Sequence, residues 1–214
     1  MGGVWVSSKV YFKEVAKEWD NMRQEFFSES VRDKAYEVAN VKEEELAADI
    51  GAGTGFITEG LLQKGLKVIA VDQSYEMLEE MKQKFNSFNQ VEYRQGDAER
   101  LPIDDDTVDY TMANMYLHHV EDPFTAIKEM VRILKPSGKL VITDLDQHNH
   151  EFLRTEQHDR WMGFDRKDIE DWFVEAGLSN VFVDCVGGNC CATSSCGCES
   201  ASISIFVAYG EKYR

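Results

Sequence analysis

Between Leu46 and Asp144 short apolar runs alternate with helix-period stretches, and the runs stop at glycines or acids. Leu46-Ala47-Ala48-Asp49-Ile50 breaks into Gly51-Ala52-Gly53-Thr54-Gly55, and Lys67-Val68-Ile69-Ala70-Val71 stops at Asp72. Val91-Glu92-Tyr93-Arg94 reaches Gly96-Asp97, Val108 to Ala113 runs into Asn114, and Lys139 to Asp144 is the fifth run. Strands that are apolar throughout must be covered on both faces, and strands joined through helices run parallel. Right-handed crossovers then leave one solution, a doubly wound α/β sheet.

Local signals place the helices. One is expected from about Gly55 to Lys64. Ser74 caps a second, whose Met77, Leu78, Met81 and Phe85 share a face. Asp122-Pro123 opens a third, with Phe124, Ile127, Met130, Val131 and Leu134 inward, and Lys135-Pro136-Ser137-Gly138 stops it. Two more helices are expected at about 151–160 and 165–176, the latter ended by Gly177. The chain closes with β-rich runs at 181–186 and 202–209. The last has no helix before it and must return antiparallel. The expectation is a mostly parallel, seven-stranded, Rossmann-like sheet with an antiparallel C-terminal strand.

Before it, Val10, Phe12, Val15, Trp19, Met22 and Phe26 recur as one apolar helix stripe, read as core packing, and a short helix covers Val31 to Val38. The organisation expected is a helical cap over 1–45 and a core over 46–214. Within the core lie a helical lid at about 150–177 and a cysteine-rich loop at 185–198.

The chemistry centres on the glycine turn. Glycines at the end of a first strand let the backbone turn tightly against a ligand, and the next helix aims free N–H groups and positive dipole at an anion. Asp72, ending the second strand, stands where an acid accepts both hydroxyl hydrogens of a ribose. Asp97, ending the third, can accept from an adenine amino group. The spacing is G-x-G-x-G rather than the G-x-G-x-x-G of dinucleotide folds, and no second mononucleotide half follows. A single nucleoside with a cationic arm fits better than a nicotinamide dinucleotide.

Asp49 to Gly55, Val71-Asp72, Gly96-Asp97-Ala98 and Ala113-Asn114-Met115-Tyr116-Leu117-His118-His119-Val120-Glu121-Asp122-Pro123 resemble the motifs of class I S-adenosylmethionine-dependent methyltransferases. The flavour is that of the ubiquinone/menaquinone-pathway type, a small-molecule methyltransferase. The resemblance spans about Tyr11 to Leu145. It implies that Asp49 and the Gly51, Gly53 and Gly55 backbone, beside Ala52, hold the methionyl end of S-adenosyl-L-methionine. It places Asp72 at the ribose, Asp97 with Ala98 at the adenine and Asn114 beneath the sulfonium methyl, with Gln73 also among the cofactor-binding residues.

His118 and His119 are the catalytic candidates, one as substrate contact or base, the other as packing. The acids and imidazoles of 144–150 and 158–162 read as a solvated loop, and Trp161, Met162 and Phe164 as cavity or core residues. All five cysteines fall between Cys185 and Cys198 and read as reduced thiols. Cys190, Cys191, Cys196 and Cys198 are candidate ligands for a soft metal or metalloid, giving a thiol or metalloid methyltransferase as the alternative. A non-catalytic cofactor- or metal-binding module is a further one. Lys+Arg 23 against Asp+Glu 39 gives a formal charge of −16, which repels phosphate backbones and anionic membrane surfaces. The partner expected is a small-molecule substrate, with no nucleic acid and no membrane. With no apolar leader and no myristoylation pattern, where Val6 stands in the place of Ser or Thr, the chain reads as cytoplasmic.

Overall fold

The computed structural model describes residues 8–213, with side chains from Tyr11 onward. The leader and Val6 readings, and the first residues of the cap, lie outside the described residues. Seven strands form one sheet: β1 (Leu46–Ile50), β2 (Lys67–Asp72), β3 (Val91–Gln95), β4 (Val108–Asn114), β5 (Leu134–Leu145), β6 (Leu178–Thr193) and β7 (Ser200–Lys212). Their order is β3-β2-β1-β4-β5-β7-β6, with β7 antiparallel to both neighbours and the other pairings parallel. This is the doubly wound sheet with an antiparallel C-terminal strand that the alternation implies.

Side chains alternate along each strand, so Ala47, Val68 and Met112 face one apolar cluster while Ile50, Val71 and Ala113 face another. Helices α3 (Ser30–Ala39), α4 (Phe56–Gln63) and α5 (Tyr75–Lys84) cover the first side; α6 (Pro123–Arg132) and α8 (Arg166–Glu175) cover the second. Expected caps form: Ser74 Oγ accepts from Met77 N at 3.2 Å, and Asp122 Oδ1 from Thr125 N at 3.1 Å behind Pro123.

The N-terminal stripe is not one helix. It breaks into α1 (Ser8–Val15) and α2 (Trp19–Phe26) because Glu18 N bonds Val15 O at 2.9 Å, a tight closure that ends α1. The break lays both helices across the carboxyl edge of the sheet rather than flat on a face. Helix α6 stops at Arg132, before the Lys135–Gly138 stop signal, and that tetrapeptide enters the irregular start of β5, where the β4 register shifts.

Of the region 185–198, residues 185–193 are strand and only the turn from Ser194 onward is loop. β6 continues to Thr193, pairing Cys190 with Ile203 and Ala192 with Ala201, and jumps register between Cys185 and Asn189, where Gly187 takes φ +86°. The result is a bent two-stranded arm over the carboxyl edge, touching α2 and α3. Helix α7 (Glu151–Glu156) meets its tip, where Ser195 N donates to Glu156 Oε2 at 2.8 Å. The span 150–177 thus divides: α7 stands at the edge beside the arm, whereas α8 buries Ile169 and Phe173 against the sheet. No helix among the described residues is long and apolar enough to cross a membrane.

Candidate active site

The glycine turn leaves β1 with Gly51, Gly53 and Gly55 at φ +66°, +54° and +92°, conformations open mainly to glycine. Asp49 is buried just before it. Its Oδ2 accepts from Thr58 N at 3.0 Å and Thr58 Oγ1 at 2.7 Å, tying the first turn of α4 to β1. Burial outweighs those two donors, Asp72 adds repulsion, and the Asp49 carboxyl is pushed up to about 7. An acid raised on folding keeps its proton where the unfolded chain has lost it. This residue therefore costs nothing below about pH 4 and progressively more until about pH 7. Asp49→Asn should remove that part of the slope: against wild type, its unliganded melting temperature should gain with pH, reaching ~10 °C by pH 8. Parallel melting curves across pH 4–8 would refute this.

Asp72 ends β2 with both oxygens engaged: Gly53 N donates to Oδ2 and Ser74 N to Oδ1, each at 2.8 Å. Burial raises its pKa against those donors. The cleft above the turn spans about 790 Å³ including its mouth. It gathers Asp49, Gly51, Ala52 and Gly53 from the turn; Asp72, Gln73, Asn114 and His119 close it.

Three expected members stand elsewhere. Gly55 does not line the cleft, and its Cα packs under Phe85, where a Cβ would meet Phe85 Cε2 at 2.5 Å. Asp97 is exposed and Ala98 buried outside the cleft, while Tyr116 lines it against Gly51. Burial, Asp72 and Asp97 raise the Tyr116 phenol. Asn114 accepts from Thr143 Oγ1 at 2.8 Å, and Met115 behind it holds φ +50°, turning the chain sharply at the end of β4.

Arg23 of α2 escaped the sequence reading. Its guanidinium sits 4.2 Å over the Phe56 ring at the cleft wall, and its buried Nε has no hydrogen-bond partner. Burial lowers its pKa, with Asp20 opposing. The available signal was a cation four places after Trp19, on the same helix face.

A second chamber adjoins the cleft. Phe12, Trp19, Phe27, Met115 and His119 line both, and Phe26, Leu145 and Leu153 complete its apolar walls. The aromatic stripe, read as core, lines these cavities instead, because the α1–α2 break places it over the sheet edge. At one end of the chamber stand His118, His119, Asp159 and Cys190. His118 is buried, with Nδ1 2.6 Å from Asp144 Oδ1 and Nε2 3.7 Å from Asp159 Oδ1. Burial alone would strip its proton, but Asp144 and Asp159 prevail and lift it to about 9. Burial and that neighbouring cation hold His119 well below the usual imidazole range.

Asp144 and Asp159 are buried, so these two acids are not part of a solvated loop: main-chain bonds from Arg160 N and Trp161 N to His118 O, 3.0 Å each, pull the 158–161 loop inward. Trp161 donates to Val120 O and Phe164 joins the core; neither these nor Met162 lines the cavities.

The cysteines do not converge. Strand alternation sends Cys190 inward and Cys191 outward, Cys185 is exposed, and Cys196 and Cys198 are joined in a disulfide at the arm tip rather than reduced. Among the described residues, the group of His, Cys, Asp and Glu able to surround an ion is His118, His119 and Asp159, ligand atoms within 4.8 Å, with no thiol among them. The metalloid alternative finds no support in this geometry.

Residues 48–142 match the family described as a methyltransferase domain. The chain is 35% identical over 144 residues to the demethylmenaquinone methyltransferase of Bacillus subtilis, covering 64% of this chain and 62% of that protein. It is 28% identical over 171 residues to the malonyl-acyl-carrier-protein O-methyltransferase of a Marinomonas species, covering 76% and 62%. The match thus falls short of two thirds of either relative's length. In fold it is similar to the methyltransferase solved with the Trm112 activator of Haloferax volcanii, with TM-score 0.78 and 19% identity over 95% of this chain and 98% of that one. By its matched segment, its motifs and its sheet, the chain carries, over residues 48–142, a methyltransferase domain similar to those of the class I S-adenosylmethionine-dependent methyltransferases.

Proposed function

We propose that this chain methylates a small-molecule acceptor, with S-adenosyl-L-methionine in the glycine-turn cleft and the acceptor in the adjoining chamber. One observation carries this reading: the two cavities share a wall at Met115 and His119, so groups held in each meet there. The residues fit the cofactor. Arg23 supplies an unpaired buried guanidinium nitrogen for the methionyl carboxylate, and Asp72 offers its carboxylate to the ribose. Bound there, the cofactor supplies an electrophilic methyl on a sulfonium. The protein's part is to hold the acceptor in line and exclude water, which orientation alone makes worth several kcal/mol. Phe12, Trp19, Phe26 and Phe27 suit a flat ring, such as the demethylmenaquinone for which a relative is named, better than a carrier-bound chain.

Calorimetric titration with S-adenosylhomocysteine tests the cofactor half, and Arg23→Met should weaken binding ~10-fold by removing a charged hydrogen bond. Methyl-labelled cofactor with a panel of ring acceptors tests transfer. Absence of binding would sink the whole reading, and binding without transfer to any acceptor would favour a non-catalytic module.

A further inference from the structure

Asp159 stands at the chamber wall without a hydrogen-bond donor for its carboxylate among the described residues. It is 3% exposed, yet no hydrogen bond from any described residue reaches its carboxylate; the nearest cation or ring nitrogens are His118 Nε2 at 3.7 Å and His119 Nδ1 at 4.0 Å. Asp144, the other acid of the cluster, is fully served, accepting from His118 N, the His118 ring and Leu145 N at 3.3, 2.6 and 2.7 Å. A buried carboxylate without a donor is costly unless something brought to it donates. Its placement is fixed rather than incidental: Asp159 N bonds Leu153 O, and the next two amides bond His118 O.

We propose that Asp159 is the hydrogen-bond anchor and proton acceptor for the methyl acceptor, a catalytic residue of the transfer. This rests on the reading of the chamber given above. As the acceptor's heteroatom donates a lone pair to the methyl carbon, the carbon–sulfur bond breaks and its electrons stay on sulfur. The heteroatom's proton then passes to the Asp159 carboxylate, leaving a neutral product, a neutral thioether and a neutral acid. The imidazoles are poorer candidates. His118 already carries its proton, held by Asp144, and so has no lone pair to offer. His119 is kept neutral by burial beside that cation, which makes it a feeble base.

The groups facing Asp159 are Tyr11 from α1, His118 and His119 after β4, Asp144 from β5 and Cys190 from β6. Burial pushes Asp159 up to about 6, against the pull of His118 and with Asp144 adding to the rise. That places the base close to neutral pH, where proton acceptance is most useful.

The test uses 4-nitrophenol as a chromogenic ring acceptor analogue on the full chain saturated with S-adenosylhomocysteine. Phenol and phenolate are separated by their visible absorbance. An ionised Asp159 favours the neutral phenol, so the bound probe should ionise at least one pH unit higher in wild type than in Asp159→Asn. The variant should also bind the anion at least tenfold better at pH 8.5. Equal ionisation midpoints, or no saturable probe binding to the wild type, would overturn the proposal. Loss of S-adenosylhomocysteine binding in wild type would instead sink the cofactor reading. An Asp159→Ala variant, with its fold checked by circular dichroism, guards against an effect peculiar to Asn.

Discussion

Asp72→Asn should bind S-adenosylhomocysteine about a hundredfold more weakly than wild type while keeping its fold. In the free protein the two Asp72 oxygens organise the site by accepting from Gly53 N and Ser74 N. The same charge is the acceptor on offer to the ribose hydroxyls. Asn keeps one acceptor, turns an amide donor toward either Gly53 N or Ser74 N, and removes the charge. Hydrogen bonds to charged groups are worth about 1.5–3 kcal/mol each, so losing the equivalent of one to two costs about 3 kcal/mol. That is roughly two decades in Kd. Calorimetry decides it; a change under threefold would show that Asp72 organises the turn without touching the ligand.

Gly51→Ala should be strongly destabilising. Gly51 sits at φ +66°, which costs an L-residue about 1 kcal/mol. A Cβ there would also lie 2.1 Å from Tyr116 Cγ, deep inside van der Waals contact, so the ring must leave. Tyr116 is packed against the turn, and displacing it adds an overpacking cost of about 1–3 kcal/mol. Together these lower the melting temperature by roughly 10 °C for a chain of this size. The partner experiment is Gly51→Ala with Tyr116→Ala, measured against Tyr116→Ala alone. With the ring gone only the backbone strain remains, so adding Gly51→Ala should then cost less than half as much. An unchanged increment would mean that the clash is relieved without moving Tyr116.

How much of this was legible beforehand follows from the range of each signal. Strands β1 and β2 match the expected runs end to end, because an apolar run between a turn and an acid is a local pattern. The Ser74 and Asp122 caps act over three residues and read equally well. The α1–α2 break did not, since the stripe keeps helical spacing through Ala16–Glu18 and only packing of the chain over the sheet edge interrupts it. The cysteine segment misled because glycine, serine and cysteine suggest a loop, whereas β7 supplies a partner strand that makes it a ladder.

Within the candidate site the same division holds. Asp49, Asp72 and the glycines could be named because each stands at the end of its own strand. Asp97 could be named for the same reason, yet the structure leaves it exposed and outside the cleft, which Tyr116 from the segment after β4 lines instead. Arg23 and Asp159 come from elements that meet the cleft and the chamber only after folding; the helical spacing of Arg23 from Trp19 is a weak signal, and Asp159 has none among its neighbours along the chain.

By itself, then, the order of residues determined the sheet, its direction and the turn at its switch point, since periodicity and chain handedness act over one or two elements. Which acids are buried, which imidazole carries a proton and which aromatic rings face a cavity were decided by tertiary structure alone. Desolvation and charge pairing depend on distances between segments far apart in the chain, and no local pattern encodes those distances.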